Sequence, residues 1–283
     1  MSDHTTIPEQ RETIIAETRN VDFLPTTALK VYEMLENPNV DFDELAELVR
    51  HDQALTANLL QIANSSAFRG RGSVGTVREA ILRVGMQHLH GLVIGLALAP
   101  IEREPVRGYH LPAGELWRHA VAVAVGTETI AESLKLGDSD EAFTAGLLHD
   151  VGKVVLGTFI ETDSDRIQEL AFEQKVSFER AEQQILGINH AEVGALLLRH
   201  WEIPDHLAEV TRWHHSPDGC EHMRSAVDLV HMADSLSFEA GVGTGSDGLN
   251  YRPCDEAVER LGVDRELSEK VILAMTERLQ ELE

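Results

Sequence analysis

Apolar residues recur three and four positions apart through most of the chain, the spacing of one face of an α-helix. Ala28, Leu29, Tyr32 and Leu35 share such a face in a helix opened by Leu24-Pro25 and stopped at Asn37-Pro38-Asn39. Asp41 and Glu44 make a capping-box-like start for the next helix, which carries Phe42, Leu45, Leu48 and Val49 and breaks at His51-Asp52. Another runs from Leu55 to Ala63 and ends at Asn64-Ser65-Ser66. Gly70, Gly72 and Gly75 mark a loop with Arg69 and Arg71, after which Thr76-Val77-Arg78-Glu79 opens a helix carrying Ala80, Ile81 and Val84. Gly85 divides it from a helix over Leu89–Ala99. Residues 100–112, with Pro105, Gly108 and Pro112, predict a connection between two lobes.

Beyond it the spacing predicts one long helix over 113–136 and a second, capped by Asp140, that ends at His149-Asp150 with Gly152 as its stop. Further helices fall near 163–175, 177–186, 189–201, 205–213 and 223–238. The glycines from Gly241 to Gly248 predict a flexible loop, and an amphipathic helix near 265–282 closes the chain. Few runs alternate apolar and polar residues, so the expected fold class is all-α. The expected division is a polar tail or lead-in helix over 1–16, a helical lobe over 17–105, a second over 106–240, and a loop with a last helix over 241–283.

Composition narrows the function. An apolar content of 43% over 283 residues is enough for substantial cores. Cys220 and Cys254 form no close pair, so neither a disulfide framework nor a thiolate zinc site is expected, and a reducing cytoplasm is the natural setting. The first residues lack a basic start and an apolar core, so no secretory signal is expected. The apolar stretch Leu92–Pro100 is too short to span a bilayer. A net charge of −24 argues against nucleic acid and anionic membrane as partners. It also counts against DNA contact by the helices over Asp43–Asn64, superficially a helix-turn-helix with only Arg69 and Arg71 nearby. A small phosphate substrate is still compatible, because bound cations invert the local field.

The candidate chemistry is histidine and carboxylate. His149-Asp150 closes an apolar helical run and is followed by Gly152-Lys153. Glu115 and His119, four apart, share one helix face. His190 opens a helical run, His214-His215 follow Trp213, and Asp234 lies in an otherwise apolar segment. Taken singly, each fits an ordinary cap, a polar i,i+4 pair or a salt bridge. His200, His206, His222 and His231 read as surface or packing residues. Jointly, the first set is the ligand type that suits iron, manganese or zinc, and charged groups facing a helical core are costly unless paired or metal-bound.

Several separate motifs occur in order: Phe23-Leu24-Pro25, Val49-Arg50-His51-Asp52-Gln53-Ala54-Leu55-Thr56, Ile62-Ala63-Asn64-Ser65-Ser66-Ala67-Phe68, Ala80-Ile81-Leu82-Arg83-Val84-Gly85, Leu147-Leu148-His149-Asp150-Val151-Gly152-Lys153 and Trp201-Glu202-Ile203-Pro204. Over roughly residues 17–238 the chain resembles the HDOD family. The resemblance implies an all-helical domain of the HD superfamily and a role in bacterial signalling, often without metal ligands. Here the order Glu115, His119, His149, Asp150, Lys153, His190, His214, His215, Asp234 is instead similar to that of HD-GYP cyclic dinucleotide phosphodiesterases. That likeness implies two or three divalent ions, iron or manganese with zinc as the other option, and no further cofactor. It makes Asp150 the bridging carboxylate, with His119, His149 and Asp234 on one ion and His190, His214 and His215 on its neighbour. Glu115 would support a third ion, and Lys153 would neutralise phosphate charge. Asp150 and Lys153 are thus the implied catalytic pair. The pattern departs at Ser216-Pro217-Asp218-Gly219-Cys220, which stands where HD-GYP proteins carry a glutamate and their Gly-Tyr-Pro element. This counts against recognition of cyclic di-GMP. Three classes of function are implied: a regulatory module acting through a signalling protein partner or a bound nucleotide or cyclic dinucleotide, a metal-dependent phosphodiesterase or phosphohydrolase, and an HD-fold diiron oxygenase.

Overall fold

The computed structural model describes residues 6–21, 26–35, 37, 39–64, 68, 73–102, 104–136, 139–161, 163–243, 245–248 and 250–282. The expected features at Leu24-Pro25, Ser65-Ser66, Arg69, Gly70, Arg71 and Gly72 lie outside these residues. Among the described residues the fold is all-α, with one isolated antiparallel bridge between Val106 and Leu111.

Residues 7–18, expected as part of a tail or a lead-in helix, form α1 (Ile7–Thr18), started by a Thr6–Glu9 capping box. Its Ile14 is buried, and Arg11 reaches the Gly187 carbonyl at 3.0 Å and Glu192 at 2.5 Å. The N-terminal helix is therefore docked on the second lobe. The first lobe comprises α2 (Thr26–Leu35), α3 (Phe42–Arg50), α4 (Gln53–Asn64), α5 (Val77–Val84) and α6 (Met86–Glu102). Asp41 caps α3 by accepting from the Asp43 and Glu44 amides, and Thr76 with Glu79 forms a capping box on α5. Gly85, at φ +88°, turns the chain between α5 and α6.

The second lobe is built on α7 (Glu115–Leu134), whose residues His119 to Thr127 are all buried. Around it pack α8 (Ser139–Leu148), α9 (Gly152–Phe159), α10 (Ser164–Gln174), α11 (Phe178–Leu186), α12 (His190–His200), α13 (Asp205–Trp213), α14 (Arg224–Glu239), α15 (Asp255–Leu261) and α16 (Arg265–Leu282). The lobes are tightly joined. A Cβ on Gly91 or Gly95 of α6 would lie 2.6 Å from Thr144 Oγ1 or 2.2 Å from Leu147 Cδ2 of α8.

Five features differ from the sequence-based expectation. Gly152 starts α9 instead of simply stopping α8, and Asp140 lies inside α8. The helix α15 was not expected. The 100–112 connection contains a short 3-10 turn at Arg107–Tyr109 that buries Tyr109. The segment expected as a flexible loop carries a second such turn at Ser246–Gly248 with Ser246 and Asp247 buried. Gln168 donates to Ser246 Oγ at 2.6 Å, and Ser246 Oγ donates to the Tyr109 carbonyl at 3.2 Å. Polar side chains order this segment, and hydrophobic periodicity does not register them.

Candidate metal centre

Five elements converge at one end of α7. His119 comes from α7, and His149 and Asp150 from the tight turn joining α8 to α9. His190 is the first residue of α12, His214 and His215 follow α13, and Asp234 lies on α14. The α8–α9 turn can approach α12 because two glycines meet there. A Cβ on Gly152 would fall 2.0 Å from the His190 carbonyl oxygen and 2.5 Å from the Gly194 amide nitrogen. Asn189 caps α12 by accepting from the Glu192 amide at 2.9 Å, which fixes where His190 begins.

Asp150 is the centre of the arrangement. Its Oδ2 lies 3.2 Å from His119 Nε2 and 3.4 Å from His149 Nε2. Its Oδ1 lies 3.4 Å from His190 Nε2 and 3.7 Å from His214 Nε2. Asp234 Oδ1 closes the first group, 3.2 Å from His119 Nε2 and 3.7 Å from His149 Nε2. His215 joins the second through Nε2, 2.8 Å from His190 Nε2. All of these residues are buried except His215, which is half-buried.

The outward nitrogens of four of these imidazoles are held by oxygen. Nδ1 of His149 meets the Gly146 carbonyl at 2.7 Å, and Nδ1 of His214 meets the Thr211 carbonyl at 2.6 Å. Nδ1 of His190 meets Glu182 Oε2 at 2.8 Å, and Nδ1 of His119 meets Ser237 Oγ at 3.2 Å. Ser237 already donates its proton to the Asp234 carbonyl, so toward His119 it accepts. Carbonyl and carboxylate oxygens accept Nδ1–H, which leaves Nε2 as the inward-facing lone pair of the neutral ring.

Glu182, Tyr109 and Asp247 are functional neighbours that sequence reasoning missed. Glu182 is fully buried on α11 and accepts from the His190 amide at 2.9 Å and from the Tyr109 hydroxyl at 2.6 Å. Only the three-dimensional path shows that the 100–112 connection props this carboxylate. Lys153, on the first turn of α9, donates to Asp150 Oδ2 at 2.5 Å and also pairs with Asp247. Gly243, at φ +70°, lies against His119, where a Cβ would come 2.6 Å from the His119 Cβ. The 241–248 segment therefore covers one side of the centre.

Glu115 is not brought to the cage. It sits on the first turn of α7, a third exposed, with Arg118 at 3.5 Å. It is absent from every cluster of possible ligand atoms among the described residues. Four residues apart on a helix is one turn, which carries Glu115 past the level where Asp150 and Asp234 meet His119. His231, by contrast, is buried: Nδ1 donates to the His214 carbonyl at 2.7 Å and Nε2 accepts from the Cys254 amide at 2.8 Å. It orients the turn that carries His214.

The electrostatics are those of a charged cage. Burial pushes His149 down, but Asp150 and Asp234 outweigh it and lift its pKa to about 10. Burial likewise opposes the rise at His119, which its two carboxylate partners impose. Asp150 is held well below the usual carboxylate range, because His149 and Lys153 overcome its burial. Asp234 is held there, against burial, by the His119 and His149 imidazoles that face it. Burial and the neighbouring His149 charge depress His214 to about 3.

A metal fits these residues. Asp150 Oδ1, both Asp234 carboxylate oxygens, His214 Nε2 and His215 Nδ1 are buried without a hydrogen-bond partner. Uncompensated buried acceptors are costly, and divalent cations are the partners that imidazole and carboxylate together take. Asp150, His190, His214 and His215 form one cluster of possible ligand atoms, and His119, His149 and Asp150 form another. A cleft of about 460 Å³ opens beside His215, lined by Tyr251, the cations Lys175, Arg180 and Arg252 and the carboxylates Glu179, Asp218 and Glu256.

Comparison with known proteins agrees with this architecture. The HDOD domain model matches residues 21–217. An uncharacterised protein of Treponema pallidum (strain Nichols) is 26% identical over 217 residues, 75% of this chain. The chain spans 41% of that relative's length. Among solved structures, an HDOD domain protein of unknown function from Geobacter sulfurreducens is 25% identical with a TM-score of 0.68, covering 95% of this chain and 89% of that one. A candidate signal transduction protein from Marinobacter aquaeolei VT8 is 23% identical with a TM-score of 0.76, covering 99% of this chain and 65% of that one. A candidate metal-dependent phosphohydrolase from Shewanella amazonensis SB2B is 18% identical with a TM-score of 0.59, covering 94% and 99%. The likenesses under 25% identity speak for the fold.

Proposed function

Because this chain belongs to the HDOD family, in which signalling is the expected role, we propose that it is a metal-binding member whose cage binds and hydrolyses a phosphate ester. The observation that carries this reading is the division of Asp150: each carboxylate oxygen faces its own pair of inward imidazole nitrogens. His119, His149 and Asp234 would hold one ion, His190, His214 and His215 its neighbour, and Asp150 would hold both. When bound, such a pair supplies an activated water and neutralises phosphate oxygens.

The chain's own residues then set orientation and access. Oxygen clamps at Nδ1 keep the histidines aimed. Lys153, tied to Asp150 and Asp247, positions the bridging carboxylate instead of reaching toward substrate. In the cleft, Lys175, Arg180 and Arg252 are the cations within reach of a phosphate, set among the carboxylates Glu179, Asp218 and Glu256. The candidate signal transduction protein and the candidate metal-dependent phosphohydrolase of like fold are in keeping with a regulatory phosphohydrolase.

The test is elemental analysis of protein purified without chelator, followed by hydrolysis of bis(p-nitrophenyl) phosphate and of cyclic dinucleotides. About two ions per chain with turnover lost in Asp150→Ala is the expected result. Near-zero metal that added Fe²⁺ or Mn²⁺ does not restore would refute the reading.

A further inference from the structure

The cage is covered unequally on its two sides. His119, His149 and Asp234 are each no more than 2% exposed. Phe238 packs its ring 5.3 Å from that of His119. Residues 241–243 and 245–248 form a strap over the same imidazole: a Cβ on Gly243 would lie 2.7 Å from both Cγ and Nδ1 of His119. A φ of +70° at Gly243 and +73° at Gly241 lets the backbone come that close. The other histidine group is reached from outside. Of the proposed ligands, His215 alone lines the cleft, its ring edge-on to Tyr251 with centroids 5.3 Å apart.

The strap is pinned from beyond the cage. Ser246 Oγ donates to the Tyr109 carbonyl at 3.2 Å, accepts from Gln168 Nε2 at 2.6 Å and lies 2.7 Å from Nδ1 of His110. A Cβ on Gly245 would fall 2.6 Å from the Tyr109 carbonyl oxygen, and Asp247 pairs with Lys153. The hydrogen bonds of Gln168 and Ser246 therefore go to one another, to His110 and to Tyr109, none of them a proposed ligand. A short segment held by a few polar contacts opens locally at far lower cost than a packed core unfolds. An ion beneath such a cover leaves only when the cover opens.

We infer that the two metal positions are inequivalent: His119, His149 and Asp234 hold an inner ion locked beneath the strap, and His190, His214 and His215 hold an outer ion that exchanges through the cleft. The inference rests on the two-ion reading above. Exit from the inner position requires the strap's contacts at Ser246 and Asp247 to break. Exit from the outer position requires only that the half-buried His215 turn into the cleft. The outer position is therefore also the one that a ligand in the cleft reaches.

Metal release tests this on the full chain. Protein loaded with Mn²⁺ is mixed with excess 4-(2-pyridylazo)resorcinol, whose absorbance counts ions as they leave. Two phases of about one ion each, well separated in rate, are expected. Gln168→Ala and Ser246→Ala each speed the slow phase about tenfold, equivalent to about 1.4 kcal/mol of strap closure, and leave the fast phase unchanged. That unchanged phase separates strap opening from a general loosening of the fold. His215→Ala loses the fast phase and keeps the slow one. The inference is overturned if both ions leave in one phase, if the strap variants speed both phases alike or neither, or if His215→Ala removes the slow ion instead. Fewer than two ions bound before the chelator is added would overturn the two-ion reading and the inference with it.

Discussion

Asp150 offers Oδ2 to His119 and His149 and Oδ1 to His190 and His214. Alanine at this position removes the side chain shared by both groups, whereas Glu115 contacts neither. We therefore expect Asp150→Ala to strip both ions and Glu115→Ala to keep nearly full content, as read by elemental analysis; equal loss in the two would contradict the assignment. Acidity gives a second expectation. In the metal-free protein His149 keeps its proton up to about pH 10. The ion held by His149 must displace that proton, so its affinity strengthens as pH rises toward 10 and falls on acidification. Proton release on titrating the metal-free protein with Mn²⁺ in weak buffer measures it, and no release near neutrality would contradict it. At this scale much of the cage was legible in the sequence: His119, His149, Asp150, His190, His214, His215 and Asp234 were all named, and the fold brings them together. Glu115 misled because i,i+4 spacing gives a shared helix face and says nothing of depth. Glu182, Tyr109 and Asp247 were invisible because their roles depend on contacts 8, 73 and 94 positions away along the chain.

Among the elements, the α8–α9 turn sets the tolerances. Gly152→Ala would drive a Cβ into the His190 carbonyl and the Gly194 amide. Such overpacking costs about 1–3 kcal/mol, and here it also separates Asp150 from His190. The expected outcome is a lower urea midpoint together with reduced metal content, while Gly75→Ala, with open space around its Cβ, leaves metal content unchanged. Helix periodicity located α2 to α8, α10 to α14 and α16 well, because each presents a regular apolar face. It missed α9, whose short run follows directly on the His149-Asp150 turn and reads as the tail of the previous helix. It missed α15, a two-turn helix that buries only Ala257 and Leu261. Segment 241–248 misled for a different reason. Its glycines suggested freedom, yet they permit the close approach to His119 and Tyr109 that holds the segment down.

For the whole molecule, charge is the governing quantity. A net −24 repels itself in the compact state. We expect the melting temperature to rise as NaCl is increased from about 0.05 to 0.5 M, since the Debye length shortens from above 10 Å toward a few ångströms. A flat response would mean that local ion pairs already compensate. No single helix among the described residues is long and apolar enough to cross a membrane. Helices α6 and α8, on either side of the proline-containing connection, are in close contact, and α1 docks on α11 and α12.

The ion pair between Lys153 and Asp247 has a consequence for how the protein is made. Its partners lie 94 positions apart, and Asp247 follows every histidine of the cage in the chain. As the polypeptide leaves the ribosome, residues through Asp234 can gather while the lysine beneath Asp150 still lacks its second carboxylate. The covering turn is made only after every histidine of the cage, so the centre is closed once that turn has been added. The same order bears on trimming the gene: a fragment bounded by the matched family region, which ends at residue 217, would omit both Asp234 and Asp247 and would carry a cage missing a wall and a lysine missing its counter-charge.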